Sequence, residues 1–125
     1  MTRTRKAVGH VSFVGAGPGD PSLLTRRAFT ALTGADHVVY DPDVPTALLD
    51  SLRAQTPTDT QFSPAEGTPG DVAKVLLSAA RSGLHAVRLV GGDPLAAEPV
   101  VAQVQAVART AVPFDVVPGV NRASG

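Results

Sequence analysis

The chain has no cysteine and no tryptophan, and a single methionine and a single tyrosine among its 125 residues. Without cysteine there is no disulfide frame and no thiolate metal site. The three histidines, His10, His37 and His85, are too scattered to suggest a metal cluster, and no metal is expected. No excess of charge of either sign exists: Lys plus Arg number 11, and so do Asp plus Glu. The bulk charge therefore gives no pull towards nucleic acid or an anionic membrane. No apolar run is long enough to span a bilayer, and no signal-peptide core follows the basic start at Arg3, Arg5 and Lys6, so a soluble cytoplasmic protein is the expectation. A G-K-[ST] P-loop is also absent. What the chain does have is 43% hydrophobic against 18% charged residues, enough to bury the core of one domain.

The chain is organised around residues 11–21. Val11 to Val14 reads as a strand covered on both faces, Gly15, Gly17 and Gly19 as a turn that tolerates close approach of another molecule, and Asp20-Pro21 as the capped start of a helix. Residues 1–10 are expected to be a disordered polar tail, with one domain from 11 to 125. The spacing of Leu23, Leu24, Ala28 and Leu32 predicts a helix from Pro21 that stops at Gly34. His37–Tyr40 is a second strand, and Val44–Arg53 a short helix. Residues 54–70 are loop with a brief edge strand at Thr60–Phe62. A helix capped by Thr68 runs from Pro69 to Gly83, with Val72, Val75, Leu76, Ala79 and Ala80 inward. Strands at Ala86–Val90 and Phe114–Val117 flank a helix opened by Pro99, with Val100, Val101, Val104 and Val107 inward.

This alternation predicts a three-layer α/β fold: a mostly parallel open sheet of about five strands with helices on both faces. Right-handed crossovers would put every β→α loop on one edge, where Gly15–Asp20, Asp41–Asp43, Gly91–Pro94 and Pro118–Asn121 would gather. A ligand crevice belongs on that edge. The loops suit a phosphate-free ligand. Pro18 removes an N–H from where a pyrophosphate would want donors, and Asp20 puts negative charge at the helix start. Asp41 alone favours a dinucleotide, through a ribose hydroxyl. A carboxylate such as Asp93 suits a hydroxyl or cationic group, so the chemistry is compatible with S-adenosylmethionine. Arg88 reads as a solvated or cross-strand charge, and His37 and His85 as structural or surface residues.

The motifs GAGPGDPxLLT (from Gly15), VVYD (to Asp41), VRLxGGDP (to Pro94) and FxVVPGxxxASG (from Phe114), in this order and spacing, resemble those of the tetrapyrrole methylases. Within that family the similarity is to the uroporphyrinogen-III C-methyltransferases, from about Val11 to the last residue. The resemblance implies methyl transfer from S-adenosylmethionine to ring carbons of a tetrapyrrole, on the way to sirohaem and cobalamin. It also implies a cofactor cleft between two α/β domains, of which this chain matches the N-terminal one and lacks the C-terminal one, and a homodimeric full-length protein. Some relatives are fused to a uroporphyrinogen-III synthase. By position, the resemblance assigns cofactor contacts to Gly17, Pro18, Gly91, Gly92, Asp93, Ala96, Asn121 and Arg122, and a catalytic role to Asp41.

Three departures stand beside it. After Asp41 the family has Arg-Leu-Val, whereas this chain has Pro42-Asp43-Val44. The family's Gly-Lys-Arg segment falls near Gln61–Ala65, where no basic residue is present. After GGDP the family has Phe-x-Phe-Gly-Arg-Gly, whereas this chain has Leu95-Ala96-Ala97-Glu98-Pro99. Each missing charge-assisted bond to a carboxylate-rich substrate would have contributed roughly 1.5–3 kcal/mol. Either the substrate is held differently or the substrate site has degenerated. Two rival readings stay open: a non-catalytic regulatory or interaction domain on the same scaffold, and a dinucleotide-binding oxidoreductase domain.

Overall fold

Short extended segments, most of them holding two valines, alternate with helical segments, and the computed structural model, which describes residues 8–119, arranges them as a five-stranded sheet. The strands are β1 (His10–Gly15), β2 (His37–Tyr40), β3 (Gln61–Pro64), β4 (His85–Val90) and β5 (Phe114–Val117). Their order is β3-β2-β4-β1-β5, every neighbouring pair parallel. The helices are α1 (Arg26–Thr33), α2 (Thr46–Ala54), α3 (Pro69–Arg81) and α4 (Glu98–Ala108). Alternation along the strands splits the core into two layers. Val11, Phe13, Val39, Ala86 and Val90 meet α3 and α4 on one face. Val14, Val38, Val87, Leu89 and Val117 meet α1 and α2 on the other. The three-layer parallel architecture expected from the sequence is therefore the one found.

Differences from the sequence reading have local causes. β1 begins at His10, and Gly9 ahead of it is already tied down, its N–H donating to Ala80 O at 2.7 Å. Asp20-Pro21 starts only one 3-10 turn, Pro21–Leu23. Thr25 offers a second cap, accepting from the Ala28 N–H at 3.1 Å, and α1 begins there instead. At α3 the reciprocal Thr68–Asp71 capping box is present as read. Its buried stripe is wider than expected because the helix packs on both the sheet and α4. Ala73 and Leu77 are buried, whereas Val75 is exposed. In α4 the inward polar residue is Gln103, with Val101 and Val104 only half-buried. Arg88 corrects one half of its reading: it is cross-strand, pairing with Asp41 beside β2 at 3.4 Å, but it is not solvated. It is 3% exposed, because its same-face neighbours Ala86 and Val90 place it in the α3/α4 layer.

His37 and His85 are half-buried structural residues. The His37 Nε2 pairs with Ser63 Oγ at 2.7 Å, and His85 Nε2 with Ser12 Oγ at 2.9 Å. Burial lowers the pKa of both rings. For His85 the nearby His10 lowers it further, while the Gly34 carbonyl, Asp115 and Asp36 oppose that shift. Below the ordinary value of 6.5 the unfolded chain thus binds protons that the native rings refuse. Stability should fall as pH drops through that value and level off once the native rings protonate too. We expect the urea midpoint to be lower at about pH 5 than at about pH 7.5, and the difference to shrink in a His37→Gln/His85→Gln variant.

Candidate functional site

The order of the strands locates a crevice before any residue is considered. β1 and β4 are neighbours, but the chain leaves β1 towards β2 and leaves β4 towards β5, in opposite directions and over opposite faces. Between such strands the carboxyl-end loops part, and ligands of open α/β sheets bind there. The two loops at that point are Ala16–Asp20 and Gly91–Pro94.

These loops are built on one device. Each runs Gly-Asp-Pro into a single 3-10 turn, with the aspartate as cap and the proline opening the turn. Asp20 Oδ1 accepts from Ser22 N–H and Oγ at 2.9 and 2.8 Å, and those bonds hold its pKa below the ordinary carboxylate value. Asp93 Oδ1 accepts from Leu95 N–H at 2.9 Å. The loops are pinned together by an antiparallel bridge: Gly92 N–H donates to Gly17 O at 2.8 Å, and Gly17 N–H to Gly92 O at 3.2 Å. Gly17 and Gly92 both hold positive φ, 62° and 69°.

The remaining loops close on the same rim. A Cβ placed on Gly119 would lie 2.5 Å from Gly17 N and 2.6 Å from Gly92 O, and one on Gly15 would run into Gly92 O. A Cβ on Gly19 would lie 2.9 Å from the Pro45 ring of the β2→α2 loop. Asp41 directly follows β2, with its N–H on Leu89 O at 2.8 Å. The structure thus brings Gly17, Asp41, Gly91, Gly92, Asp93 and Gly119 to one rim. Pro18 and Ala96 lie exposed in the same loops, with Ala96 N–H donating to Asp93 O at 3.1 Å. Asn121 and Arg122 lie outside the described residues.

Gly91 and Gly92 are unlike Gly15 and Gly119. A Cβ on either would meet nothing within 4 Å, and Gly91 does not hold a positive φ. The fold itself does not need a bare backbone at Gly91. The space beside it is open, so the main chain there is accessible.

Asp41 carries the site's partly exposed carboxylate, its side chain 29% exposed. Oδ2 accepts from Asp43 N–H at 3.3 Å, as in an Asx turn, and Oδ1 accepts from Arg88 Nη2 at 3.4 Å. Arg88 also donates through Nη1 to Leu89 O at 3.1 Å and through Nε to Gln103 Oε1 at 2.9 Å. Burial pushes the guanidinium below its usual pKa and Asp41 pushes it back. Sequence reasoning missed both Arg88 and Gln103; the clue was a lone charge between apolar same-face neighbours.

A hollow of about 560 Å³ lies away from this rim, between α1 and the β1–β5 edge, lined by His10, Ser12, Arg27, His85 and Asp115 among others. Its polar floor is already satisfied: Ser12 Oγ donates to Asp115 Oδ1 at 2.6 Å. The topology and the loop contacts argue for the rim instead. Among the described residues no group of three or more potential metal ligands exists, and no helix is long and apolar enough to cross a membrane.

Fold and rim together define a doubly wound α/β domain whose switch point is framed by two bridged glycine loops. The chain belongs to the tetrapyrrole (corrin/porphyrin) methylases, whose family model matches residues 10–125. It is 39% identical over 124 residues to a siroheme synthase of Gluconacetobacter diazotrophicus, and 41% identical over 120 residues to siroheme synthase 1 of Yersinia enterocolitica. Each comparison covers 94% of this chain, but only 26% and 25% of the relative's length. Among solved structures, uroporphyrin-III C-methyltransferase of Thermus thermophilus superposes with a TM-score of 0.79 at 34% identity, over 90% of this chain and 48% of that one. A structure of the Thermus enzyme complexed with S-adenosyl homocysteine matches with a TM-score of 0.75 at 38% identity.

The glycines give a sharp contrast in stability. Gly15→Ala forces a methyl into the backbone of the neighbouring loop and should cost about 1–3 kcal/mol. Gly91→Ala meets open space at an ordinary φ and should be neutral or stabilising by up to about 1 kcal/mol. Chemical denaturation of the two variants checks this.

Proposed function

We propose that this chain supplies the N-terminal half of a cleft for S-adenosylmethionine in a methyltransferase acting on tetrapyrroles of the uroporphyrinogen-III class. A second α/β domain would furnish the other half. The open, backbone-lined space at Gly91–Gly92, at the switch point and beside Asp93, carries this reading. Family membership and the S-adenosyl homocysteine complex of the similar Thermus enzyme support it. The chain spans about a quarter of the siroheme synthases and about half of the Thermus methyltransferase, so the activity of a whole protein is part of the proposal.

In this reading Gly17 and Gly91–Gly92 offer main chain to the adenosine end, Pro18 and Ala96 border it, and Asp93 faces a hydroxyl or the cationic part. Asn121 and Arg122, which follow Gly119 in the chain, are assigned to the cofactor by the family resemblance. The cofactor contributes an activated methyl on a sulfonium. The protein contributes alignment, which can lower a barrier by up to about 7–11 kcal/mol when two reactants are held in line. Asp41, on the same rim, orients the pyrrole acceptor or takes the proton that the ring system releases from another atom once the methylated carbon, which bears no hydrogen, becomes quaternary. Asp41→Asn should lower kcat by about 10²–10⁴ while cofactor affinity stays unchanged.

One observation favours a second reading, a scaffold that keeps the cofactor and has lost the acceptor. The loops 16–25, 41–45, 65–68, 91–97 and 118–119 contain no Lys or Arg, and they carry Asp20, Asp41, Asp43, Glu66 and Asp93. That rim does not attract a polycarboxylate.

Calorimetric titration of the full-length gene product with S-adenosyl homocysteine, and separately with NADH, tests the proposal. We expect the first to bind and to stabilise by about 2.7 kcal/mol at a hundredfold excess over Kd, and the second not to bind. Transfer of a labelled methyl group to uroporphyrinogen III then separates an enzyme from a retained scaffold. Binding of NADH alone would overturn the reading.

A further inference from the structure

Arg88 is an expensive residue to keep where it is. Its guanidinium is taken out of water into a layer of Val, Leu and Ala side chains, and an apolar residue of similar volume would fill that space without the desolvation cost. Strand pairing does not need it either, since β2 and β4 are already joined along their length by the parallel ladder.

What its donors do is specific. Nε is fixed by Gln103 Oε1 at 2.9 Å, from the helix that follows the Gly91–Pro94 loop. Nη1 and Nη2 then reach Leu89 O at 3.1 Å and Asp41 Oδ1 at 3.4 Å. Leu89 O also accepts the Asp41 N–H at 2.8 Å. Backbone and carboxylate of Asp41 are therefore held by one closed set of bonds centred on a rigid, planar fork. Without it, the partly exposed Asp41 carboxylate would be held by the Asp43 N–H at 3.3 Å, with nothing tying it to β4. The same fork ties Asp41 to the element that carries Gly91–Asp93.

We infer that Arg88, oriented by Gln103, is a positioning residue that sets the Asp41 carboxylate against the Gly91–Asp93 loop. The inference rests on the proposed function for its meaning, because it assumes that Asp41 serves the acceptor while the loop serves the cofactor. Arg88 touches neither.

The test uses the full-length protein carrying Arg88→Met together with Gln103→Leu, which removes both polar partners and leaves the core filled. We expect the variant to melt as a folded protein and to bind S-adenosyl homocysteine within about twofold of the unaltered affinity. We expect kcat for methyl transfer to fall by about 10–100-fold. Amide exchange at Asp41, Asp43 and Val44 should quicken by about tenfold or more, with exchange in β1 and β4 unchanged. If the double variant does not fold, Arg88→Lys replaces it, because an ammonium cannot span all three acceptors at once, and the same results are expected. Unchanged exchange at Asp41–Val44 in a folded variant would overturn the inference. So would a loss of cofactor affinity in step with kcat. Absence of methyl transfer in the unaltered protein would count against the proposed function alone, and the exchange measurement would still decide the role of Arg88.

Discussion

The contact between backbones at the switch point governs this molecule. Gly15, Gly17, Gly92 and Gly119 come from three loops, and each stands where a side chain would press on another loop or where φ is positive. Two main-chain hydrogen bonds between Gly17 and Gly92 lock that contact. Close approach here lets the Gly-Asp-Pro turns start side by side, so that one chain path leaves towards α1 and the other towards α4 over opposite faces. Widening this junction would separate the two turns that frame the crevice and move Asp41 relative to Gly91. Packing elsewhere is forgiving by comparison, since two apolar layers tolerate substitutions that conserve volume.

The rim is also where charge and shape pull in different directions. Its shape is that of a main-chain shelf, open at Gly91 and Gly92. Its charge is acidic, with the basic Arg88 beneath the surface. An acidic shelf suits a ligand with a cationic centre better than one made of carboxylates. If the acceptor is a carboxylate-bearing tetrapyrrole, the cations that hold it must come from elsewhere in the assembled cleft.

Much of the fold could be read from the sequence because its signals are local. Prolines, glycines and aspartates at strand ends marked the loops, and short valine-containing segments marked every strand but β3, whose Gln-Phe-Ser-Pro has no β-branched residue. The crowding of those loops on one edge followed from parallel pairing, which puts every strand's carboxyl end on the same side. The sequence reading failed where two local signals compete or where a contact is long-range. Thr25 outcompeted Asp20-Pro21 as the cap of a full helix, and nothing in the spacing ranks the two. Arg88 read as a solvated or cross-strand charge, and its burial was not legible because its partners Gln103 and Asp41 lie 15 and 47 positions away. Only the pairing of β2 with β4 and the return of α4 bring them together. Val75 turned outward because the neighbour that widens the buried face of α3 is another helix, α4.

The central claim is that a phosphate-free adenosine ligand lies on the shelf formed at the switch point. Chemical-shift mapping with S-adenosyl homocysteine on the isotope-labelled protein tests it most directly. The amides of Gly17, Gly91, Gly92 and Asp93 should shift together and saturate with one affinity, while those of Ser12, His85 and Asp115 beside the distant hollow stay still. Shifts centred on that hollow, with the four rim amides unmoved, would contradict the claim.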